Sequence, residues 1–499
     1  MLKNILQYLE QTVLRVPDKI AFSDGENSLS FSQLSCASKG IGTYLIDNSC
    51  SRSPVMVIMD KHPHEIAAFL GVIYAGGFYI PIDAEMPVKR IEVIAESTKP
   101  VLIICDKKNE KLARSICCAD VVIYDDICEY IYCKEKLDAI RTEQIDTDPI
   151  YIVFTSGSTG IPKGVVACHR SVIDYTESLC MALDFSEETV FGNQTPLYFD
   201  APLKEIMPTL KYGATTYFVP KKLFMFPIKL VEYLNQNKIN TICWVVSALT
   251  MISAFGAFAK VKPEYLKLVA FGSEVFPIKQ FKIWREAVPE AVFYNLYGPT
   301  EATGMSCFYK VNRDFSDNEY IPIGKPFNNT RILLIGDNDK EVKQGEPGEI
   351  CISGTCVTMG YYSNTEKTNE AFIQNPLQNA YREIIYRTGD LAKYNEFGEL
   401  VFISRKDYQI KHMGHRIELG EIESATDTIS GVARSCCIYD DIKKKIHLFY
   451  IGESSETDVG LFLKGYLPRY MLPSTIVRLE NLPLTPNGKL NRRALKEMI

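Results

Sequence analysis

Short apolar runs separated by helix-period stretches dominate the first half of the chain. Val55 to Met59, Val101 to Cys105 and Val121 to Tyr124 are blocks of strand-forming residues, and His64 to Tyr74 repeats apolar positions at helical spacing. Such alternation predicts βαβ units on a parallel sheet. The rhythm returns in Thr215 to Val219, Thr241 to Val245 and Leu268 to Phe271, which implies a second sheet layer. From Ile321 to Ile403 the segments shorten and glycines such as Gly336, Gly348 and Gly360 punctuate them, predicting a β-rich region of hairpins or a barrel. The last stretch returns to an α+β pattern. At the N-terminus, Met1 to Phe22 mixes Lys3, Glu10, Arg15 and Asp18 into an amphipathic pattern, which predicts a surface helix and lacks the apolar core of a signal peptide.

Composition narrows the class. With 499 residues and 46% hydrophobic content, the chain can bury large cores, and length suggests about three folding units. Net charge is -6, and Lys and Arg are scattered among acids, so no electrostatic footprint for nucleic acid is present. The longest weakly polar stretch, Phe69 to Ile82, is too short to span a bilayer and contains Gly76, Gly77 and Pro81. Fifteen cysteines are an odd number, diluted through the chain, with adjacent pairs such as Cys117/Cys118 and Cys436/Cys437. Reduced thiols in a cytoplasmic protein fit better than a disulfide scaffold. No cysteine and histidine cluster has metal-ligand spacing.

One stretch carries chemistry on its face. Ile150 to Phe154 reads as a strand that runs into TSGSTGIPKG, Thr155 to Gly164. Gly157, Gly160 and Gly164 let peptide N–H groups approach an anion, Thr155, Ser156, Ser158 and Thr159 add hydroxyls, and Lys163 adds a positive charge. Such a loop grips phosphate. It is not a GxxxxGK[ST] loop, because Gly164 follows Lys163 where a magnesium-binding Ser or Thr would stand.

Further dense motifs follow in order: FDAPLKEI (Phe199 to Ile206), NLYGPTEAT (Asn295 to Thr303), GEICISGTCVTMGYY (Gly348 to Tyr362), YRTGDL (Tyr386 to Leu391), SRKDYQIKHMGHRIELGEIE (Ser404 to Glu423) and PNGKLNR (Pro486 to Arg492). YAGGFYIPID, Tyr74 to Asp83, precedes them. Together these resemble the core motifs of the adenylate-forming superfamily of acyl-CoA synthetases, luciferases and amino-acid adenylation domains. The resemblance covers nearly the whole chain. It implies an α/β fold: an N-terminal domain, residues 1–406, of layered parallel sheets with helices and a β-rich barrel-like subdomain, and a small mobile α+β C-terminal domain, residues 407–499.

The resemblance also implies ATP and Mg2+ as cofactors and distributes roles. The Thr155 to Lys163 loop would hold the β- and γ-phosphates, and Glu301 would ligate the magnesium ion, a hard cation suited to a carboxylate. Asn295, Leu296, Tyr297, Gly298 and Thr300 fall in the nucleotide-binding motif. Asp390 matches the acid on the ribose hydroxyls, Tyr297 and Phe402 the aromatics beside adenine, and Arg405 an arginine near ribose and phosphate, although Ser404 stands where Gly usually precedes it. Lys489 matches the C-terminal lysine that bridges the substrate carboxylate and α-phosphate during adenylation. Asp407 matches the hinge about which the C-terminal domain turns before thioester formation. Met413 replaces the arginine usually found before Gly414.

Within the superfamily, Asp200 corresponds to the aspartate that pairs with an amino acid's α-ammonium group. An amino acid is therefore the expected substrate, with Asp200, Ala201, Lys204, Cys243, Ala270, Gly272, Leu296, Gly304 and Met305 walling its pocket. Lys204 has two readings. Facing inward, it would pair with an Asp- or Glu-like side chain; facing outward, it would be a solvated lysine at a helix start. The C-terminus comes soon after Lys489, so the chain reads as free-standing, with a phosphopantetheine carrier protein in trans as the expected acceptor and coenzyme A as the alternative. A D-alanine carrier-protein ligase, an acyl-CoA synthetase-like activator of another acid and a non-catalytic nucleotide sensor are the competing readings. No nucleic acid or membrane partner is expected.

Overall fold

The structure, a computed structural model, describes residues 2–157, 161–483 and 490–499. Two layered sheets organise the first two thirds. One has six strands, in spatial order Asp120–Ile123, Leu102–Cys105, Pro54–Ile58, Phe78–Ile82, Pro149–Thr155 and Lys163–Cys168. Only the last pair is antiparallel. The other has nine, in order Lys325–Pro326, Cys307–Lys310, Val292–Tyr297, Leu268–Gly272, Thr241–Val245, Val190–Asn193, Thr215–Phe218, Ile20–Ser23 and Ser28–Ser30, parallel through its centre and antiparallel at its edges. The expected strands therefore form within a residue or two of where the apolar runs place them.

Local chemistry sets the elements between. Ser30 and Gln33 form a capping box at the start of helix Phe31–Asp47. Helix Pro63–Tyr74 opens with proline at its first position and is buried along almost its whole length. The N-terminal amphipathic pattern forms helix Leu6–Arg15, which buries Leu6, Tyr8, Leu9 and Thr12 and leaves Leu14 exposed. Its start is tied down by His169, whose ring nitrogens face the Ile5 N–H and the Asn4 amide.

The glycine-punctuated region pairs as five antiparallel strands, with Ile384–Tyr394 at the centre. Beyond it come the hairpin Gln409–His412/His415–Glu418, the helix Leu419–Asp427 and a three-stranded sheet of Val432–Asp440, Lys445–Gly452 and Thr475–Arg478. That sheet has a core on each face. Cys437, Tyr439 and Leu448 pack against Ile417 and Ile422 on one side, while Cys436, Ile438 and Phe449 pack against Leu482, Leu490 and Leu495 on the other. All fifteen cysteines are unpaired, in keeping with reduced thiols. Among the described residues, no helix is long and apolar enough to cross a membrane.

Candidate active site

The glycine- and serine-rich run joins two adjacent strands. Pro149–Thr155 and Lys163–Cys168 are antiparallel partners with Thr155 opposite Lys163, and the second of them is the edge strand of its sheet. Gly157 is required there for space: a Cβ would lie 1.9 Å from the Ile161 carbonyl oxygen. Ser156 is buried in the cleft and Lys163 is half-buried beside it. Ser158, Thr159 and Gly160 lie outside the described residues.

Glu301 forms the opposite wall, fully buried on a short 3₁₀ turn after Tyr297. Tyr361 Oη donates to its Oε1 at 2.8 Å, and Arg416 Nη1 donates to its Oε2 at 2.7 Å. Burial pushes this carboxyl group upward, but Arg416, Lys163 and the tyrosine outweigh it and hold the pKa at about 2. Lys163, by contrast, is lowered by burial and by Arg416. A permanently ionised carboxylate with hard oxygen donors fits Mg2+.

Around Asp390 a second group assembles. Tyr297 Oη donates to Asp390 Oδ2 and Arg405 Nη1 to Oδ1, both at 2.6 Å. Arg405 also grips Asp407 through two nitrogens, each 2.7 Å from a carboxylate oxygen, so the hinge candidate is tied directly to the ribose candidate. Phe402 packs at the edge of the cluster that contains Tyr297. Asn295 directs its amide to the Ile321 and Pro322 carbonyls at 3.2 and 2.9 Å, and Gly298 sits tightly against the Gly304 to Ser306 backbone.

The candidate substrate pocket follows from strand register. Cys243 lies opposite Ala270, Val245 opposite Gly272, and Gly272 opposite Leu296, so Cys243, Ala270, Gly272 and Leu296 share one sheet face at the carboxyl ends of parallel strands. Small residues leave a cavity there, with Met305 and Lys204 completing its lining. Counted with the solvent at its open side, the space between atoms there is about 200 Å³. Gly272 admits no Cβ, which would lie 2.4 Å from the Leu296 carbonyl.

Lys204 faces inward. It is 6% exposed on helix Leu203–Tyr212, and among the described residues no carboxylate lies within ion-pair distance of its ammonium group. Pro208, four residues on, has no N–H to offer the Lys204 carbonyl. Asp200 and Ala201 precede this helix, and a Cβ on Gly304 would stand 3.8 Å from Asp200 Oδ2. Burial raises the Asp200 carboxyl pKa, while a hydrogen bond from Thr300 and the charge of Lys204 pull it back.

The hairpin Gln409–Glu418 also enters this cleft. Ser156 Oγ donates to the Arg416 carbonyl at 2.9 Å and accepts the Glu418 N–H at 3.2 Å. Gly157 N–H donates to Glu421 Oε2 at 3.0 Å. The Gly414 N–H reaches Glu274 at 3.2 Å, and Lys411 Nζ stands 5.7 Å from the Tyr297 ring centroid. Lys489 lies outside the described residues. Sequence reasoning quoted the motifs that hold Arg416, Glu418, Glu421 and Tyr361 but gave these residues no role, and it missed Arg90 altogether. A pairing across 115 residues, such as Arg416 to Glu301, has no local signal.

A family model described as AMP-binding enzyme matches residues 9–362. Bacitracin synthase 1 of Bacillus licheniformis is 32% identical over 506 residues, covering 99% of this chain and 9% of that protein. The crystal structure of IdnL1 superposes with a TM-score of 0.84 at 25% identity, covering 97% and 99% of the two chains. Holo-AB3403, a four-domain nonribosomal peptide synthetase bound to AMP and glycine, superposes at 0.72 with 27% identity, covering 98% of this chain and 36% of that one. The chain spans only 9% to 45% of the length of the first two curated relatives it matches.

Proposed function

Because this chain belongs to the AMP-binding enzyme family, we propose that it activates an amino acid as its adenylate, with release of pyrophosphate, and passes the aminoacyl group to a thiol. One observation carries the substrate class: a buried lysine that has no ion-pair partner among the described residues lines a small cavity, and its charge is felt by the Asp200 carboxylate. Asp200 suits the α-ammonium group. Lys204 suits a second carboxylate on the side chain, since a buried cation costs several kcal/mol until it is paired. Glutamate or aspartate supplies both complements at once.

The remaining residues then have defined tasks. Ser156, Gly157 and Lys163 bind phosphate oxygens, and Asp390 accepts from the ribose hydroxyls with Tyr297 and Arg405 fixing its orientation. Glu301 would hold Mg2+, which when bound offsets charge on the phosphates. Lys489 would stabilise the developing charge between carboxylate and α-phosphate. After adenylation, rotation about Asp407 would exchange Lys489 for the Gln409–Glu418 hairpin, and the hairpin's place in the cleft supports an arrangement suited to thiol transfer. The acceptor we favour is a carrier protein's phosphopantetheine thiol, in keeping with the peptide-synthetase relatives.

Exchange of labelled pyrophosphate into ATP, run over acidic, neutral and aromatic amino acids and their deaminated analogues, tests the first half-reaction. Glutamate or aspartate should lead. Faster exchange with a deaminated or fatty acid would return the protein to acyl activation, and ATP binding without exchange for any acid would make it a nucleotide sensor. Loading of a phosphopantetheinylated carrier protein compared with coenzyme A then decides the acceptor.

A further inference from the structure

Behind the candidate pocket lies a set of buried polar groups to which neither the nucleotide site nor the pocket wall gives a task. Glu205 follows Lys204 on helix Leu203–Tyr212 and is 0% exposed. Asn193, at the end of the buried strand Val190–Asn193, donates through Nδ2 to Glu205 Oε2 at 3.3 Å. Among the described residues, Glu205 Oε1 and Asn193 Oδ1 have no hydrogen-bond partner. Lys61 Nζ donates to the Asn193 and Gln194 carbonyls, each at 3.1 Å. The buried Glu65 sits in the first turn of helix Pro63–Tyr74. Tyr175 of helix His169–Leu183 and Cys243 of strand Thr241–Val245 also face Glu205, and burial raises both well above their ordinary values, so neither carries charge.

Two neighbouring buried acceptors without a donor make an arrangement one proton short. A carboxylate only accepts, whereas a carboxylic acid also donates, so a proton on Glu205 Oε1 removes one orphaned acceptor and brings a donor to the neighbourhood of the other. The charge on Lys204 opposes that proton. Burial raises the Glu205 pKa, while Lys204, Asn193 and Lys61 pull it back, leaving it at about 7. Burial raises Glu65 well above its ordinary value, so it is protonated already.

A side-chain carboxylate bound to Lys204 would cancel the charge that keeps Glu205 ionised. We propose that Glu205 takes up one proton from solvent when an acidic amino acid occupies the pocket, and that Glu205 thereby sets the selectivity between an acidic side chain and its amide. The inference rests on the acidic-substrate reading given above. Ionised, Glu205 competes with the substrate for the field of Lys204; protonated, it leaves Lys204 to the substrate alone. Binding that takes up a proton weakens as the pH rises.

Calorimetry on the full chain, in two buffers of unlike ionisation enthalpy, counts the protons. At about pH 8, whichever of glutamate and aspartate binds more tightly should bind with uptake of roughly one half to one proton, and its amide, which brings the same ammonium group, with uptake near zero. In pyrophosphate exchange, the kcat/KM ratio of acid to amide should fall by up to about tenfold per pH unit above about pH 7. Glu205→Gln keeps the side-chain length and fixes the neutral state. Its uptake should vanish, its ratio should stay level with pH, and at about pH 8 it should favour the acid about tenfold more than the unaltered chain does. Binding of the acid by the unaltered chain without proton uptake, which needs no variant to measure, would overturn the proposal and leave the acidic-substrate reading standing. Uptake that persists in folded Glu205→Gln would assign the proton elsewhere and overturn it as well. No preference for either acid over its amide at any pH would overturn the acidic-substrate reading, and this proposal with it.

Discussion

Under the proposed function, Lys204 and Asp200 divide the recognition of the amino acid between opposite charges. Lys204→Met keeps the length of the stem and removes the charge, so the acidic substrate should lose about 2 to 5 kcal/mol of recognition and uncharged residues of similar size should gain in rank. Substrate-ranked pyrophosphate exchange measures this. An unchanged ranking would mean that Lys204 serves packing alone. Asp200→Ala acts on the other end: loss of the ammonium partner should cost roughly 3 to 5 kcal/mol for every amino acid and little for deaminated analogues. The ratio of kcat/KM for an amino acid and its deaminated counterpart is the quantity to compare.

At the scale of elements, the helix Leu6–Arg15 depends on a residue far along the chain. His169 is buried, and burial, with Arg141 nearby, lowers its pKa to about 3. A group whose folded pKa lies below its unfolded value of 6.5 takes up its proton more readily when unfolded, so stability is full above that value and falls as the pH drops from 6.5 toward 3. Between pH 7 and pH 5 the loss should be about 2 kcal/mol. It should appear first as faster amide exchange over residues 4–15, which the histidine ring anchors. His169→Gln should flatten the dependence in that window. Apolar periodicity located this helix, but the residue that docks it lies 164 positions away.

Across the whole molecule, the two proposed half-reactions would place different demands on the C-terminal segment. If Lys489 serves only adenylation, Lys489→Ala should abolish pyrophosphate exchange and leave transfer from supplied aminoacyl-AMP largely intact. Asp407→Pro should do the reverse, since a fixed φ removes the freedom a hinge requires. Assay of both half-reactions on both variants separates them, and equal losses in each would remove Asp407 from the hinge role. Proline would also disturb the Arg405 clamp on Asp407. Asp407→Ala, which breaks the clamp and frees the backbone, is the control that tells the two effects apart.

Local pattern determined much of this protein. Runs such as Thr241 to Val245 became buried parallel strands because a continuous β-branched and aromatic block suits a covered sheet, and glycine at 157 marked a position where the backbone of Ile161 leaves no room for a side chain. Register along those strands then placed Cys243, Ala270, Gly272 and Leu296 on one face, as their assignment to a pocket requires. Direction and partnership were another matter. Whether Lys204 faced solvent or cavity depended on how helix Leu203–Tyr212 docks, and the clamping of Glu301 by Arg416 depended on where a distant hairpin comes to rest. Such contacts join segments whose separation along the chain leaves no periodic trace, so only the tertiary structure, by bringing opposite charges together out of water, decided them.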